Sequence, residues 1–374
     1  MSRILLGAVL IGAVALAGTA CKGGDKDKKE PKPAAKPAAD KKQPPAPPKD
    51  LTQEERVAYF QNCWNLFNAK DAAKFSQCYT ETATSAMMDG PMEANTRDEL
   101  MANIIQSNWT AFPDGKGAPV LTLVSGNRVF SVEHFTGTNT GEMMGMPATG
   151  KKVGYLFLHD FTMSGPGPVE RMDGYIDMAT IMGQLGVSPA PHRPVMEAAP
   201  EATVVIAKDD ETEKSNLELA KKALEAFNSH DVKAVTALYA DDVVFADQTM
   251  PADIKGKKEF TKALNGFYKA FPDIKAESTH MLAAGDYVVA TNVMTGTNKG
   301  AMPEMGLKKP TNKSIEVHGA EIMKFQDGKI VEHWLFGNGM AWAIQLGLMP
   351  DPAAAKAEAG DEEAGDEDEG GDEQ

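Results

Sequence analysis

The chain has 374 residues, with 38 Lys and Arg against 53 Asp and Glu, and its formal net charge is −15. This acidic balance excludes a dedicated nucleic-acid-binding protein, because phosphate contacts need a basic face. The seven histidines show no pair at metal-ligand spacing, and no phosphate-binding or dinucleotide-binding glycine motif occurs. We therefore expect neither a metal nor another cofactor.

The first twenty residues are typical of a secretory signal peptide. Arg3 precedes a short apolar run, and small residues lead into Cys21 as "GTAC". This ending resembles the lipobox of bacterial lipoproteins, which implies cleavage before Cys21 and acylation of that cysteine. The alternative is ordinary secretion with a free N-terminal cysteine. The lipidated form predicts a location in the bacterial cell envelope, anchored in the outer membrane and facing the periplasm or the surface.

The segments on either side of residues 51–350 lack the apolar residues that a folded core requires. Residues 21–50 form a Lys/Pro/Ala-rich tether, with no hydrophobe larger than Ala after Cys21. Residues 351–374 carry eleven acids against one Lys and predict a disordered acidic tail. The body that remains, residues 51–350, is long enough for two ordinary domains.

The body contains an internal duplication. Four short sequences recur in the same order, about 160 residues apart. They are "LFNAKD" and "AFNSHD" (66–71 and 226–231), "AFPD" (111–114 and 270–273), "TGTN" (136–139 and 295–298), and "QLGV" and "QLGL" (184–187 and 345–348). We therefore predict domain 1 over residues 51–188, a linker over 189–210 and domain 2 over 211–350.

Each copy begins with helical patterns and continues with strands. Thr52 and Glu55 have capping-box spacing before an apolar helical stripe, and Asp71 can cap a short second helix. "TRDE" (96–99) opens a third helix, alternating β-branched segments follow "FPD", and a short helix ends the copy at "QLG". In domain 2, Asp327 and Gly328 predict a two-residue hairpin turn. This order indicates the α+β class, with helices packed on a curved antiparallel sheet.

Three stretches carry a resemblance to a known family: "GTNTGEMMGMPATGKKV" (137–153), "YIDMATIMGQLG" (175–186) and "EIMKFQDGKIVEHW" (321–334). They resemble the SnoaL-like polyketide cyclases, or ester cyclases, of the NTF2-like superfamily. The resemblance implies two tandem cone-shaped domains, each with a hollow for a small apolar or polyketide-like molecule. It also implies that the two domains could pair through their sheet faces as an intrachain pseudo-dimer.

The same resemblance implies an acid/base aspartate shortly before the "QLG" helix. Asp177 occupies that place in domain 1, with Tyr175 two residues earlier, whereas domain 2 has Asn338, which cannot act as a base. The alternative is that Asp177 only caps the helix.

His159 and Asp160 form another candidate pair, and adjacent strand residues point to opposite faces. If Asp160 points inward, it could assist or replace Asp177, and Glu321 would be its counterpart in domain 2. The alternative is an outward, satisfied charge. For the "EHW" motif we expect Trp334, rather than His333, to line a cavity wall.

The remaining candidates are side chains that could contact a ligand or cross-link the fold. The predicted ligand-binding set comprises Tyr59, Trp64, Trp109, Asn139, Met144, Met146, Asn298, Glu321, Trp334 and Asn338. Cys63 and Cys78 lie on apolar helical stripes, and their repeat counterparts are Ala223 and Leu238. In an oxidising compartment they could form a disulfide that contributes about 3 kcal/mol, or remain two buried thiols.

Three functions are compatible with these observations. The first is an envelope lipoprotein whose cavities bind a small, mostly apolar molecule. The second is a cyclase- or isomerase-type enzyme that uses Asp177 of domain 1 for proton transfer next to a carbonyl. The third is an interaction protein without an open cavity.

Overall fold

The computed structural model describes residues 49–90, 92–303 and 307–350. The predicted signal peptide, Cys21, nearly all of the tether and the acidic tail lie outside the described residues. Within the described part, no helix is both long and apolar enough to cross a membrane.

Domain 1 consists of two helices, two strands, a third helical stretch, four strands and a terminal helix, so β1 and β2 come earlier than the predicted order of helices first and strands afterwards. Its elements are α1 (Gln53–Ala69), α2 (Ala72–Phe75), β1 (Tyr79–Met87), β2 (Glu93–Ala94), α3 (Arg97–Glu99), a π-helical segment (Leu100–Gln106), α4 (Ser107–Ala111), β3 (Lys116–Ser125), β4 (Arg128–Thr138), β5 (Lys152–Met163), β6 (Val169–Tyr175) and α5 (Met178–Gln184).

Domain 2 repeats this order after a short strand in the predicted linker, β7 (Thr203–Ile206). Its elements are α6 (Glu211–Asn228), α7 (Val232–Ala237), β8 (Tyr239–Asp247), β9 (Ile254–Lys255), α8 (Lys257–Ala270), β10 (Lys275–Ala284), β11 (Tyr287–Thr297), β12 (Ser314–Gln326), β13 (Lys329–Phe336) and α9 (Gly339–Gln345).

The two sheets share one six-strand topology, and β7 from the linker adds a seventh strand to the edge of the domain 1 sheet. The strand order is β2-β1-β6-β5-β4-β3-β7 in one sheet and β10-β11-β12-β13-β8-β9, read from the opposite edge, in the other. Most neighbours are antiparallel, while β1 runs parallel to β6, β8 to β13 and β7 to β3. The predicted α+β class, with two tandem domains, is confirmed.

Local sequence signals explain where the elements begin and turn. Thr52 and Glu55 form the predicted capping box of α1, and Asp71 accepts a hydrogen bond from the Lys74 backbone at the start of α2. Asp327 and Gly328 both have positive φ and connect β12 to β13, as a two-residue hairpin turn requires. These local rules operate in each copy independently of the tertiary fold.

Each sheet has two buried faces. On β5, Val153, Phe157 and Phe161 pack under the helices of domain 1, while Leu158 packs between the two sheets. On β12, Met323 similarly faces the domain 2 core. The layer between the sheets joins both domains and consists of Val120, Leu121, Leu123, Phe130, Val132, Leu158, Tyr175, Ala207, Leu282, Ala284, Val289, Ala320, Ile322 and Phe336.

The linker also covers part of domain 1. The Met196 N–H donates to the Gly154 carbonyl over 2.9 Å, and His134 Nε2 lies 2.8 Å from the Met196 oxygen. A Cβ on Gly154 would lie 2.2 Å from that oxygen, so this approach depends on glycine. The counterpart of Gly154 in domain 2 is Glu316, which follows from the matching ladder positions.

Candidate functional site

The cone of domain 1 encloses a cavity of about 180 Å³ between the helices and the sheet. Its wall is mostly aromatic and sulfur-containing. The lining includes Tyr59, Phe60, Trp64, Phe67, Phe75, Tyr79, Met87, Met92, Phe112, Phe135, Met143, Met144, Tyr155, Phe157, Phe161, Met163 and Met172. Such a wall suits an apolar molecule and leaves orientation to a small number of polar groups.

The polar centre of this cavity is His159, held by Glu133. Ladder pairing places His159 opposite Ser131 and Glu133 opposite Phe157, so the two side chains are diagonal neighbours on the inner face. His159 Nδ1 lies 2.7 Å from Glu133 Oε2. The Glu133 side chain is fully buried, whereas that of His159 is 13% exposed and lines the cavity. His159 Nε2 hydrogen bonds to none of the residues that the structure describes.

The environment of Glu133 disfavours its ionised form. Burial raises the pKa of this carboxyl group, and the charge and hydrogen bond of His159 oppose that shift without cancelling it. Glu133 Oε1 has no hydrogen-bond partner among the described residues. The ionised form of Glu133 is therefore stabilised mainly by His159, so the two side chains are considered together.

Domain 2 contains a related polar chain, displaced by one strand. His333 Nε2 lies 2.7 Å from Glu321 Oε2, and His333 Nδ1 lies 2.8 Å from the Tyr239 hydroxyl. Asn292 donates to the other oxygen of Glu321 over 2.9 Å. By ladder position, Asn292 corresponds to Glu133, Glu321 to His159 and His333 to Met172. The acid and histidine thus lie on β12 and β13 here, but on β4 and β5 in domain 1.

This displacement changes what the histidine can do. Both ring nitrogens of His333 are occupied by protein groups, and the rings of Phe245 and Tyr239 lie 5.2 and 5.9 Å from its own. His159 keeps one nitrogen available to a ligand. The two domains therefore share a fold and differ in the chemistry of the cone.

The helical wall of the domain 1 cavity is irregular. Between Arg97 and Ala111 the chain passes through the π-helical segment, whereas α8 of domain 2 is an uninterrupted α-helix over Lys257–Ala270. The domain 1 segment is one residue longer, which is the insertion that a π-turn accommodates. Ile104, Ile105 and Asn108 from this region line the cavity.

Some predicted ligand-binding residues do line the cavity. Tyr59, Trp64 and Met144 belong to its wall, and Met144 is 50% exposed on the loop between β4 and β5. Trp109 does not belong to the wall, because its ring packs against Phe67 and Phe75 in the core.

Three predicted ligand contacts of the Gly/Met/Pro loops, Met146, Asn139 and Asn298, have structural roles instead. Met146 pairs with Met143 through backbone hydrogen bonds within the loop. Asn139 holds the loop ends together, donating to the Gly141 carbonyl and accepting from the Thr149 backbone. Asn298 makes the equivalent bonds to Gly300 and Thr311. The repeated stretch is thus a loop built around a buried asparagine.

The catalytic assignment of Asp177 and Tyr175 is not supported by their positions. Asp177 caps α5, accepting from the Ala179 and Thr180 backbones, and it also accepts from the Gly339 N–H of domain 2 over 2.9 Å. Burial raises the pKa of Asp177, against the effect of these hydrogen bonds. Tyr175 packs in the layer between the sheets. Neither residue lines the cavity, so the capping alternative describes Asp177.

Asp160 points away from the cavity, and the inward alternative was wrong. It forms an ion pair with Arg128 on the face that meets the other sheet. Glu321 was assigned as its counterpart, but Glu321 faces the inside of domain 2 and matches His159 instead. Trp334 was also assigned incorrectly: it packs against the layer between the sheets, and His333 faces the core.

Asn338 is likewise a structural residue. It caps α9 by accepting from the Met340 backbone, and it donates to the Asp89 carbonyl of domain 1 over 2.9 Å. Together with the bond from Gly339 to Asp177, this contact connects the starts of two terminal helices.

A disulfide joins Cys63 and Cys78 beside the cavity. It connects α1 to the 3-10 turn that follows α2, and both cysteines are buried. No cysteine is then available as a nucleophile among the described residues.

Sequence reasoning missed Glu133, His159 as the cavity's polar group, and Asn108. Two signals could have found them. The repeat offset falls from 160 at "LFNAKD" to 159 at "AFPD", which indicates one inserted residue in domain 1 between these landmarks, a stretch that includes the third helix. Ser131 and Glu133 also place polar residues at alternate positions, and so on one face, of strand β4, which is a signal of a buried polar site.

The fold and the site together define the class of this protein: two fused NTF2-like domains, the first of which has an apolar cavity with a histidine–glutamate pair. The family profile described as SnoaL-like polyketide cyclase matches residues 55–185 and 218–346, more than half of the chain. The chain therefore belongs to the SnoaL-like polyketide cyclase family.

Several solved structures are similar to parts of this chain. AclR of Streptomyces galilaeus, described as a candidate hydroxylase, is 26% identical over 41% of this chain and 98% of its own, with a TM-score of 0.34. A candidate SnoaL-like polyketide cyclase of Jannaschia sp. CCS1 is 15% identical over 38% and 99%, with a TM-score of 0.35. IdmH of Streptomyces antibioticus, a candidate polyketide cyclase, is 24% identical over 35% and 98%, with a TM-score of 0.31. No protein of curated function matches the chain.

Proposed function

We propose that domain 1 binds a small, neutral, mostly apolar molecule whose carbonyl group accepts a hydrogen bond from His159. The observation that carries this proposal is the apolar cavity of about 180 Å³ with a histidine, backed by a buried glutamate, at its wall. Domain 2 supplies the second sheet that covers the first, and its own histidine is occupied by protein groups.

The protonation of the His159–Glu133 pair supports a carbonyl ligand. A low-dielectric site disfavours net charge, so the pair is most stable when neutral overall. The two neutral arrangements are carboxylate with imidazolium, and carboxylic acid with imidazole. We take Nε2 as the protonated nitrogen, as it is in the ion pair and in the acid–imidazole pair whose Glu133 hydroxyl donates to Nδ1. The cavity therefore presents an N–H donor, and an uncharged carbonyl oxygen matches it at the lowest desolvation cost.

The size of the cavity limits the ligand to about one ring. An apolar protein cavity of about 150 Å³ is large enough to hold benzene. A volume of about 180 Å³ accommodates a benzene ring with one or two small substituents, and not a molecule of several fused rings. Acetophenone, with one ring and one carbonyl, is a suitable probe.

The test compares acetophenone with α-methylstyrene, in which a CH₂ group replaces the carbonyl oxygen. We expect the full chain to bind acetophenone about tenfold more tightly, in line with one hydrogen bond to a buried donor. A His159→Leu variant should bind the two compounds with equal affinity. His333→Leu, which removes the histidine of the related His333–Glu321 pair in domain 2, should keep the preference for acetophenone. Equal affinities in the unmodified protein, or no binding of either compound, would refute the proposal.

We also propose that the protein is exported and anchored in the cell envelope through a lipid on Cys21. The signal-like N-terminus and the "GTAC" sequence support this location. The Cys63–Cys78 disulfide adds support, since such bonds persist in oxidising compartments. A Cys21→Ser variant should lose palmitate labelling and leave the membrane fraction, and unchanged labelling would contradict the assignment.

A second candidate function is proton transfer next to the carbonyl of the bound molecule. The orientation of His159 by the buried Glu133 side chain favours it, because a positioned Nε2–H can act as a general acid toward the carbonyl oxygen during enolisation. Deuterium exchange into the methyl group of acetophenone in D₂O measures this reaction. If the protein is an enzyme, the methyl group should exchange faster than in buffer, and the His159→Leu variant should not accelerate the exchange. Exchange at the buffer rate would leave ligand binding as the sole proposed function.

A further inference from the structure

We propose that Asn108 determines the specificity of the domain 1 cavity by binding a hydroxyl group on the ligand, which narrows the ligand class to hydroxylated aromatic carbonyl compounds. This inference rests on the proposed function, because it assigns a second polar contact to the same bound molecule. Asn108 was not among the predicted site residues.

Asn108 offers a polar group that the protein itself leaves unused. Its Oδ1 atom is buried and has no hydrogen-bond partner within the described part of the chain, and the residue lines the cavity. An unpaired buried amide oxygen is costly unless another molecule supplies a donor. Because the residue lines the cavity, rotation of its amide group can turn Oδ1 toward a bound ligand, which then supplies that donor.

The irregular helix explains how an asparagine comes to line this wall. The π-helical segment ends at Gln106, one residue before α4, and Asn108 lies in the first turn of α4. The inserted residue rotates the positions that follow it relative to those before. π-Turns of this kind are frequent at functional sites because they redirect side chains.

Domain 2 provides the natural comparison. At the "AFPD" offset of 159, Asn108 corresponds to Phe267 of the regular helix α8. The Phe267 ring packs against the domain 2 core, with Phe271 and Trp342 at 5.5 and 6.3 Å. In domain 2 an aromatic side chain therefore occupies the position from which domain 1 presents an amide.

Two polar contacts then define the ligand. Its carbonyl oxygen accepts from His159 Nε2–H, and its hydroxyl donates to Asn108 Oδ1. The aromatic ring between them contacts the apolar wall. A hydroxyacetophenone has these three features and stays within the size of about one ring.

The test measures the affinities of acetophenone and of 2-, 3- and 4-hydroxyacetophenone for the full chain. We expect one hydroxylated isomer to bind at least about tenfold more tightly than acetophenone, because its hydroxyl satisfies a buried acceptor. Asn108→Leu, of similar volume, should abolish this preference, and any change in acetophenone affinity should be shared by all four compounds. Asn103→Leu changes an exposed residue of the π-helical segment and should keep the preference.

The outcomes separate this inference from the proposed function. Binding of acetophenone with no preference for any hydroxylated isomer, or a preference that survives in Asn108→Leu, overturns the assignment of Asn108 alone. Failure of acetophenone itself to bind overturns the proposed function and this inference with it. If the leucine variant does not fold, Asn108→Ala, which introduces no new bulk, gives the same comparison.

Discussion

Replacing Asp177 with alanine tests whether this residue is structural or catalytic. Its carboxylate caps α5 and accepts a hydrogen bond from Gly339 in domain 2. Loss of the cap costs about 1 kcal/mol. Leaving the Gly339 N–H without an acceptor adds about 1–3 kcal/mol. We therefore expect the free energy of unfolding to fall by about 2–4 kcal/mol in urea titrations followed by circular dichroism.

Asp71→Ala is the matched control, because Asp71 caps α2 with one backbone bond and no contact to the other domain. That variant should lose only about 0.5–1 kcal/mol. Acetophenone binding and methyl exchange should be unchanged in folded Asp177→Ala. The reasoning is refuted if Asp177→Ala is no less stable than Asp71→Ala, or if it folds normally and loses exchange activity.

Three further predictions concern stability. Replacing both Cys63 and Cys78 by alanine should lower the free energy of unfolding by about 3 kcal/mol, and a reducing agent should then have no further effect. Burial acts to raise the pKa of Glu321, but the hydrogen bond and charge of His333 and the bond from Asn292 lower it overall. The resulting stabilisation is fully present at pH values above the ordinary pKa of 4.5 and is lost as the pH falls through the lowered pKa. In Glu321→Gln, the free energy of unfolding should therefore fall less on acidification than in the unmodified protein. An unchanged dependence of unfolding free energy on acidic pH would contradict this. Gly266→Ala in α8 should stabilise the protein by about 0.5–1 kcal/mol in thermal unfolding, since an added Cβ there meets no atom within 4 Å; a lower melting temperature would show that the helix is already strained.

The fold could be predicted from the sequence because its signals are local or repeated. The capping box at Thr52 and the Asp327–Gly328 turn depend on neighbouring residues alone. The duplication was visible in four landmarks, so each half supported the interpretation of the other. The α+β class follows from the order of these elements.

The facing of individual strand residues could not be predicted, because one residue of register reverses it. The sequence matches Asp160 with Glu321, because they lie 161 positions apart, which is the offset of the "QLG" landmark. The loop before β12 shifts the true offset on this strand to 162, so Glu321 matches His159. The same uncertainty about which face a strand residue occupies explains the wrong expectation that Trp334, and not His333, faces the inside of domain 2. A repeat offset measured at the ends of a domain does not hold through its loops.

The cavity itself depends on contacts that a sequence does not display. The family resemblance implies that Asp177 is the acid/base residue. In the structure its carboxylate accepts a hydrogen bond from the Gly339 N–H of domain 2, and this contact forms only when the two domains are packed together. Glu133 and His159 are 26 residues apart and meet through ladder pairing. The chemistry of domain 1 therefore arises from the register of β4 and β5, and that of domain 2 from a different pair of strands.

A crystal structure of the full chain with 4-bromoacetophenone would test the central claim most directly, because bromine can be located by anomalous scattering. We predict one bromine site inside the cone of domain 1, with the carbonyl oxygen within hydrogen-bonding distance of His159 Nε2. Bromine in the cone of domain 2, or a domain 1 cone without bromine at saturating probe, would contradict the assignment of this cavity as the binding site.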